Sequence, residues 1–147
     1  MPRVFVDTNV FFYARDDRFP DKMKTSKAWL TALGNAQAGV TNLQVMNEFT
    51  HVVFRRMPHL DEEAVYAMAD GISGWGSAGI SLETIASASK IRRSNHYPWW
   101  DCLLLASALE LGCKFFLSED MHDGHDIDGL TIINPFMRAP SEILARY

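Results

Sequence analysis

Four three-residue runs constrain this chain most: Val4-Phe5-Val6, Gly39-Val40-Thr41, Phe115-Phe116-Leu117 and Thr131-Ile132-Ile133. They are short, largely apolar and rich in β-branched and aromatic residues, which suits strands buried on both faces. Helical patterns fill most of the intervals between them. Short strands alternating with helices imply a parallel sheet covered on both sides, since parallel neighbours need a crossover connection. The expected fold is α/β: three layers, α/β/α, around a short parallel central sheet of the Rossmann-like kind. With 147 residues, 48% hydrophobic and 22% charged, residues 1–147 are read as one globular domain that needs no staple.

The helical stretches have recognisable ends. One runs from about Lys22 to Leu33 and closes at Gly34-Asn35. Asn42 is placed to cap the next, in which Val45, Met46, Phe49, Val52 and Val53 recur at helical spacing. That helix ends in Arg55-Arg56, where cations suit the dipole, and Pro58 stops it. Asp61 can cap another, with Leu60 and Val65 as a hydrophobic staple. It fades into a glycine-rich stretch, Gly71 to Gly79, with no assignable role. Ser81 starts a helix through Ile85, Ala88 and Ile91 to Arg92-Arg93 and Asn95. Pro98 opens the most apolar segment, Trp99 to Leu111, expected to be a central buried helix with Gly112 just past its end.

Four acids stand where the local pattern argues against them. Asp7 and Asp120 follow buried strands, so both reach the carboxyl edge of the sheet, where ligands bind in open α/β folds. Glu48 borders the apolar face of its helix. Asp101 lies in the first turn of the most apolar helix. Buried carboxylates are costly, and grouped ones raise each other's pKa. A divalent cation removes both problems, and oxygen-only donors suit Mg²⁺ or Mn²⁺. Such an ion acidifies a bound water and polarises a phosphoryl oxygen, the requirements for hydrolysing a phosphodiester. Thr8, Asn9 and Ser118 are placed to orient acids or water around it. Taken singly, each acid has a plainer reading: Asp7 as a turn or cap residue, Asp101 as a dipole-favoured first-turn acid, Glu48 as a solvated face residue. The joint pattern is harder to produce by accident. The net charge of −4 does not count against a nucleic-acid substrate, because acids gathered for a metal make the total negative.

The ordered set resembles a known family. Val-Phe-Val-Asp-Thr-Asn at 4–9 is similar to the opening of PIN-domain ribonucleases, and Val-Met-Asn-Glu-Phe at 45–49 to the segment of their second acid. Trp-Asp-Cys-Leu-Leu-Leu-Ala at 100–106 is similar to that of the third, and Leu-Ser-Glu-Asp-Met-His-Asp-Gly at 117–124 to that of the fourth. The likeness spans nearly the whole chain, and a stand-alone domain of this length is similar to the VapC-type toxins of bacterial toxin–antitoxin pairs. It implies a Mg²⁺- or Mn²⁺-dependent endoribonuclease cleaving structured RNA such as tRNA or ribosomal RNA. It also implies a homodimer silenced by a small antitoxin protein. Carried over residue by residue, Asp7, Glu48, Asp101 and Asp120 are the catalytic and metal-holding acids, with Thr8, Asn9 and Ser118 in support. Asp123 stands further out.

Other features are assigned more modestly. His122 and His125, with Asp123 and Asp126, make a polar loop and lack the spacing of a zinc site. Cys102 and Cys113 are expected to be small hydrophobes. Of Trp99 and Trp100, one is expected in the core or at a dimer face and the other is free to stack on a base, with burial favoured. Trp29 and Trp75 are expected as exposed contributors to a dimer. Basic residues gather at Lys22, Lys24 and Lys27, at Arg55-Arg56 and at Lys90, Arg92 and Arg93, while Arg15 and Arg18 lie nearest Asp7 in sequence. Any that rim the acidic cleft would bind phosphates. A haloacid-dehalogenase-like phosphatase wants a second Asp at position 9, where Asn9 stands. A phosphoacceptor signalling domain wants a Lys that is not where it is needed. A catalytically weak RNA-binding module on the same fold is the remaining alternative. The start lacks a signal peptide's apolar run and no stretch approaches a ~20-residue membrane span, so no membrane partner is expected and the cytoplasm is.

Overall fold

The structure, a computed structural model, describes residues 1–144. Strand β1 (Val4–Val6) leads directly into helix α1 (Thr8–Tyr13). Next come α2 (Pro20–Asn35), β2 (Gly39–Val40), α3 (Leu43–Arg56), α4 (Glu62–Ser73), α5 (Leu82–Asn95) and α6 (Trp99–Glu110). The chain closes with β3 (Phe115–Leu117), β4 (Asp126–Ile127), β5 (Leu130–Ile133) and α7 (Ser141–Leu144).

The strands form one sheet in the order β2-β1-β3-β5-β4. β1 pairs in parallel with β2, Val4 opposite Gly39, and with β3, Val4 opposite Phe115. β3 pairs in parallel with β5, Phe115 opposite Thr131. One edge departs from the expected parallel sheet: β4 runs antiparallel to β5. The link is a two-residue turn, Asp128-Gly129, with φ of 52° and 92°, the left-handed pair that matches strand twist in tight hairpins. Asp126 Oδ1 holds it by accepting from Gly129 N at 2.8 Å.

Helices flank this sheet, with α5 against α6, α3 against α4, and α1 between α2 and α3. The caps read from sequence are present at two helices. Asn42 accepts from Val45 N at 3.0 Å, and Ser81 forms a full capping box with Thr84. Asp61 occupies the cap position of α4 without a side-chain cap bond. Pro20 starts α2 two residues before the expected Lys22, as a proline in the first turn readily does. From Cys102 to Ala108 every residue of α6 is buried, as its apolar composition implies. The Phe5 and Phe116 rings stack across β1 and β3 with centroids 5.2 Å apart. Cys102 and Cys113 are free and buried, and burial pushes the Cys113 thiol up to about 11.

Of two tryptophans expected at the surface, one is fully buried and the other half-buried. Trp29 is fully buried, and its indole N–H donates to the carbonyls of Pro135 at 3.0 Å and Arg138 at 3.1 Å. It fastens α2 to the turn after β5. Trp75 is half-buried, edge-on to Phe11 at 5.7 Å, and lies over Gly39, where any side chain would collide with its ring. The stretch from Gly71 to Gly79, which had no role in sequence, therefore has one. Thr41 N donates to Trp75 O at 3.1 Å, Leu43 N to Ala78 O at 3.0 Å, and Asn42 bridges Ala78 in parallel. This segment covers the open side of β2. Gly76 permits the approach: its φ is +146°, and a side chain there would strike the Thr41 carbonyl. Among the described residues, no helix is long and apolar enough to cross a membrane.

Candidate active site

The parallel pairing of β1 with β3 sets Val6 beside Leu117, so the next residues, Asp7 and Ser118, meet at the sheet's carboxyl edge. Both are buried. Asp7 ends β1 and caps α1: its Oδ1 accepts from Thr8 N at 2.7 Å. The cap reading and the site reading thus describe one residue using its two oxygens. The other, Oδ2, accepts from Ser118 Oγ at 2.8 Å. Ser118 Oγ in turn accepts from Asn9 Nδ2 at 3.1 Å and from Asp120 N at 3.2 Å, which uses the hydroxyl's one hydrogen and both lone pairs.

Asn9 spans the gap between the two strand tips. Its Nδ2 donates to Asp120 Oδ2 at 3.1 Å and reaches Asp7 Oδ2 more weakly at 3.4 Å. Its Oδ1 accepts from Glu119 N at 3.3 Å. On the other side, Thr8 Oγ1 donates to Glu48 Oε2 at 2.9 Å. Glu48 Oε1 accepts from Gln44 Nε2 at 3.2 Å, and Gln44 also touches the Trp100 carbonyl at 3.4 Å, tying α3 to the start of α6. Gln44 was not singled out in sequence; its place one turn before Glu48 was the available signal.

Asp7, Glu48, Asp101 and Asp120 line one cavity of about 330 Å³ together with Thr8 and Asn9. Phe12, Tyr13, His51, Val52 and Arg56 complete its wall. Burial raises the Asp7 carboxyl to about 7 against the bonds from Ser118 and Thr8, and the charges of Asp101 and Asp120 add to the rise. Asp101 is raised to about 6 by burial, then by Asp120 and Glu48. Among the described residues, no three His, Cys, Asp or Glu side chains close into a metal cage. The arrangement is an open one, with oxygen donors only and mutual repulsion that a cation would relieve. That donor set fits a hydrated Mg²⁺ or Mn²⁺ ion, which keeps part of its water shell, and does not fit a caged zinc.

Neighbouring groups are committed elsewhere. Glu119 turns away from the cavity to Lys22 Nζ at 2.7 Å and Tyr13 OH at 3.4 Å. Lys22 also sits over the rings of Tyr13 and Phe136. Arg18, expected as a phosphate contact, grips both oxygens of buried Asp16, each at 2.9 Å. Arg15 lines a separate groove of about 740 Å³. Asp123 accepts from Asn134 N at 2.9 Å and Arg138 at 3.1 Å, outside the cavity. His125 Nδ1 pairs with Tyr97 OH at 2.6 Å, so the polar loop is a hydrogen-bonded turn. Trp99 and Trp100 are both exposed, at 37% and 64%, because the buried part of α6 begins only at Cys102.

The PIN domain family matches residues 4–122. A search of curated proteins found no match. Among solved structures, a toxin–antitoxin complex from Klebsiella pneumoniae superposes with a TM-score of 0.63 at 17% identity, covering 90% of this chain and 97% of that one. VapC20 of Mycobacterium tuberculosis, described as a sarcin-ricin loop cleaving toxin, superposes at 0.56 with 19% identity, covering 77% and 86%. VapBC2 of Rickettsia felis, bound to a DNA fragment from its promoter, superposes at 0.58 with 14% identity, covering 88% and 96%. At these identities the structures speak for the fold, and the family match spans both strand tips and all four acids. The chain belongs to the PIN domain family.

Proposed function

We propose that this protein is a Mg²⁺- or Mn²⁺-dependent endoribonuclease, the toxin of a toxin–antitoxin pair, hydrolysing a structured RNA and so blocking translation. The observation that carries the reading is the convergence of Asp7, Glu48, Asp101 and Asp120 on one cavity, with Asp7 held at both oxygens. In this reading residues 1–147 act as one cytoplasmic unit and assemble as a homodimer bound by a cognate antitoxin. A toxin–antitoxin complex and a sarcin-ricin loop cleaving toxin among the structural neighbours support it.

The four acids would hold the divalent ion, in part through its own water shell. When bound, it supplies a more acidic water and neutralises charge on the phosphate. The protein's part is positional. Ser118 and Asn9 fix Asp7 and Asp120 relative to each other, and Thr8 with Gln44 fixes Glu48. Asp120, the most solvent-accessible of the four, or Glu48 takes the proton from the attacking water.

The test is cleavage of tRNA and ribosomal RNA by purified protein with Mg²⁺ or Mn²⁺, against Asp101→Asn and against EDTA. Cleavage lost in both controls supports the reading. RNA bound but left intact by the wild type would instead favour a catalytically weak RNA-binding module.

A further inference from the structure

A nuclease cavity made of carboxylates repels the polyanion it has to bind. Some cation must meet the RNA strand, and two of the basic residues expected to rim the cleft are already paired with acids. Lys22 is held by Glu119 and Arg18 by Asp16. Arg138 is held by Asp123, outside the cavity.

Of the described residues lining the acidic cavity, Arg56 alone carries a permanent positive charge. It is exposed, and its guanidinium lies over the Phe12 ring, 5.6 Å from the centroid, a cation–π placement that holds the group without neutralising it. The neighbouring Asp16, whose charge Arg56 feels, is engaged through both oxygens by Arg18. Glu48 and Arg56 share helix α3, with Val52 between them on the cavity wall. Their backbones are about 12 Å apart along the axis. Each side chain is anchored at its own position, Glu48 on the Thr8 hydroxyl and Arg56 on Phe12.

Resting on the nuclease reading, we propose that Arg56 binds a phosphate of the RNA strand other than the one being cut. The strand then runs along α3 from the carboxylates toward the helix's C-terminal end. A planar guanidinium in this place binds phosphate in two-pronged fashion and offsets the repulsion of the acids. Arg56 also lines the larger neighbouring groove, so the strand leaves the cavity at the border between the two.

The experiment separates binding from cutting. Fluorescently labelled tRNA is titrated with Asp101→Asn protein in Mg²⁺ across a salt series, with and without Arg56→Gln or Arg56→Lys, and unfolding temperatures are measured alongside. Arg56→Gln is expected to weaken binding about tenfold and lower the slope of log affinity against log salt by about one, with the unfolding temperature unchanged. Arg56→Lys keeps the slope and recovers part of the affinity. Equal affinities and slopes for Arg56→Gln and the parent overturn the proposal and leave the guanidinium to the neighbouring groove. So does an absence of RNA binding by the parent. Failure of wild-type protein to cleave RNA that it binds sinks the nuclease reading and leaves this measurement of the phosphate contact standing.

Discussion

Two aspartates, nine positions apart, are almost equally buried: Asp7 at 4% exposure and Asp16 at 1%. Their surroundings differ in sign. Asp16 faces a guanidinium that fills both its oxygens, and that bond holds its carboxyl below the usual range. Asp7 faces a hydroxyl, an amide and three more acids, and burial lifts its carboxyl to about 7. Burial alone therefore says little about purpose. An acid buried with a cation completes the fold, whereas one buried among other acids marks a candidate functional site.

The contrast can be pressed hardest at Asp7. Asp7→Asn is expected to lower metal-dependent cleavage at least about a hundredfold and, without metal, to make the protein more stable at pH 8. The sign follows from the raised pKa. An unfolded Asp loses its proton near 3.8, while folded Asp7 keeps its own to about 7. Metal-free stability therefore falls as pH rises between those values, by roughly 4 kcal/mol at most. Chemical unfolding of wild type and Asp7→Asn in EDTA at pH 4 and pH 8 checks it. A wild type more stable at pH 8 than at pH 4, with Asp7→Asn no better, breaks the comparison.

Asp16→Asn should do the reverse: cleavage retained, with stability at pH 7 reduced as Arg18 loses its ion pair, by less than Asp7→Asn changes it, since Arg18 is exposed to solvent. Because the Asp16 carboxyl is lowered, this difference is present above pH 4 and shrinks as acid protonates the wild-type group. Unfolding of the pair at pH 7 and pH 3, beside RNA cleavage at pH 7, reads both parts. The smallest effect is expected at Ser118→Ala. Removing the hydroxyl deletes a bond that lowers the Asp7 carboxyl, so the acid limb of the cleavage–pH profile should move up by a fraction of a unit to about one unit. An unmoved limb would mean Asp7 does not set it.

How much of this was legible in the sequence depends on the range of the contacts involved. The apolar runs announced β1, β3 and β5, and Asn42 and Ser81 announced their helices, because those signals lie within a few residues. The four acids were legible as exceptions to local pattern, and they line one cavity. Helix α1 was not read, since six residues beginning in a turn-like Asp-Thr-Asn are too short to display a helical period. The Asp128-Gly129 hairpin carried a usable turn signal that the polar loop around it obscured. Trp29 was misplaced because α2 has little amphipathic contrast, and its indole's partners lie more than 100 positions away. The Lys22–Glu119 bond spans 97 positions, and no local pattern points to it.

The cover that Trp75 to Ala78 places over β2 also bears on how the protein fails. An uncovered strand edge offers its amides and carbonyls to any other extended chain. Both border strands, β2 and β4, are only two residues long, and at the β2 border this segment adds hydrogen bonds to Thr41 and Leu43, just past the strand. Damage to the glycine-rich cover, by insertion or by a side chain at Gly76, would thus surface as insoluble protein in the expressing cell, with the acids that line the cavity untouched.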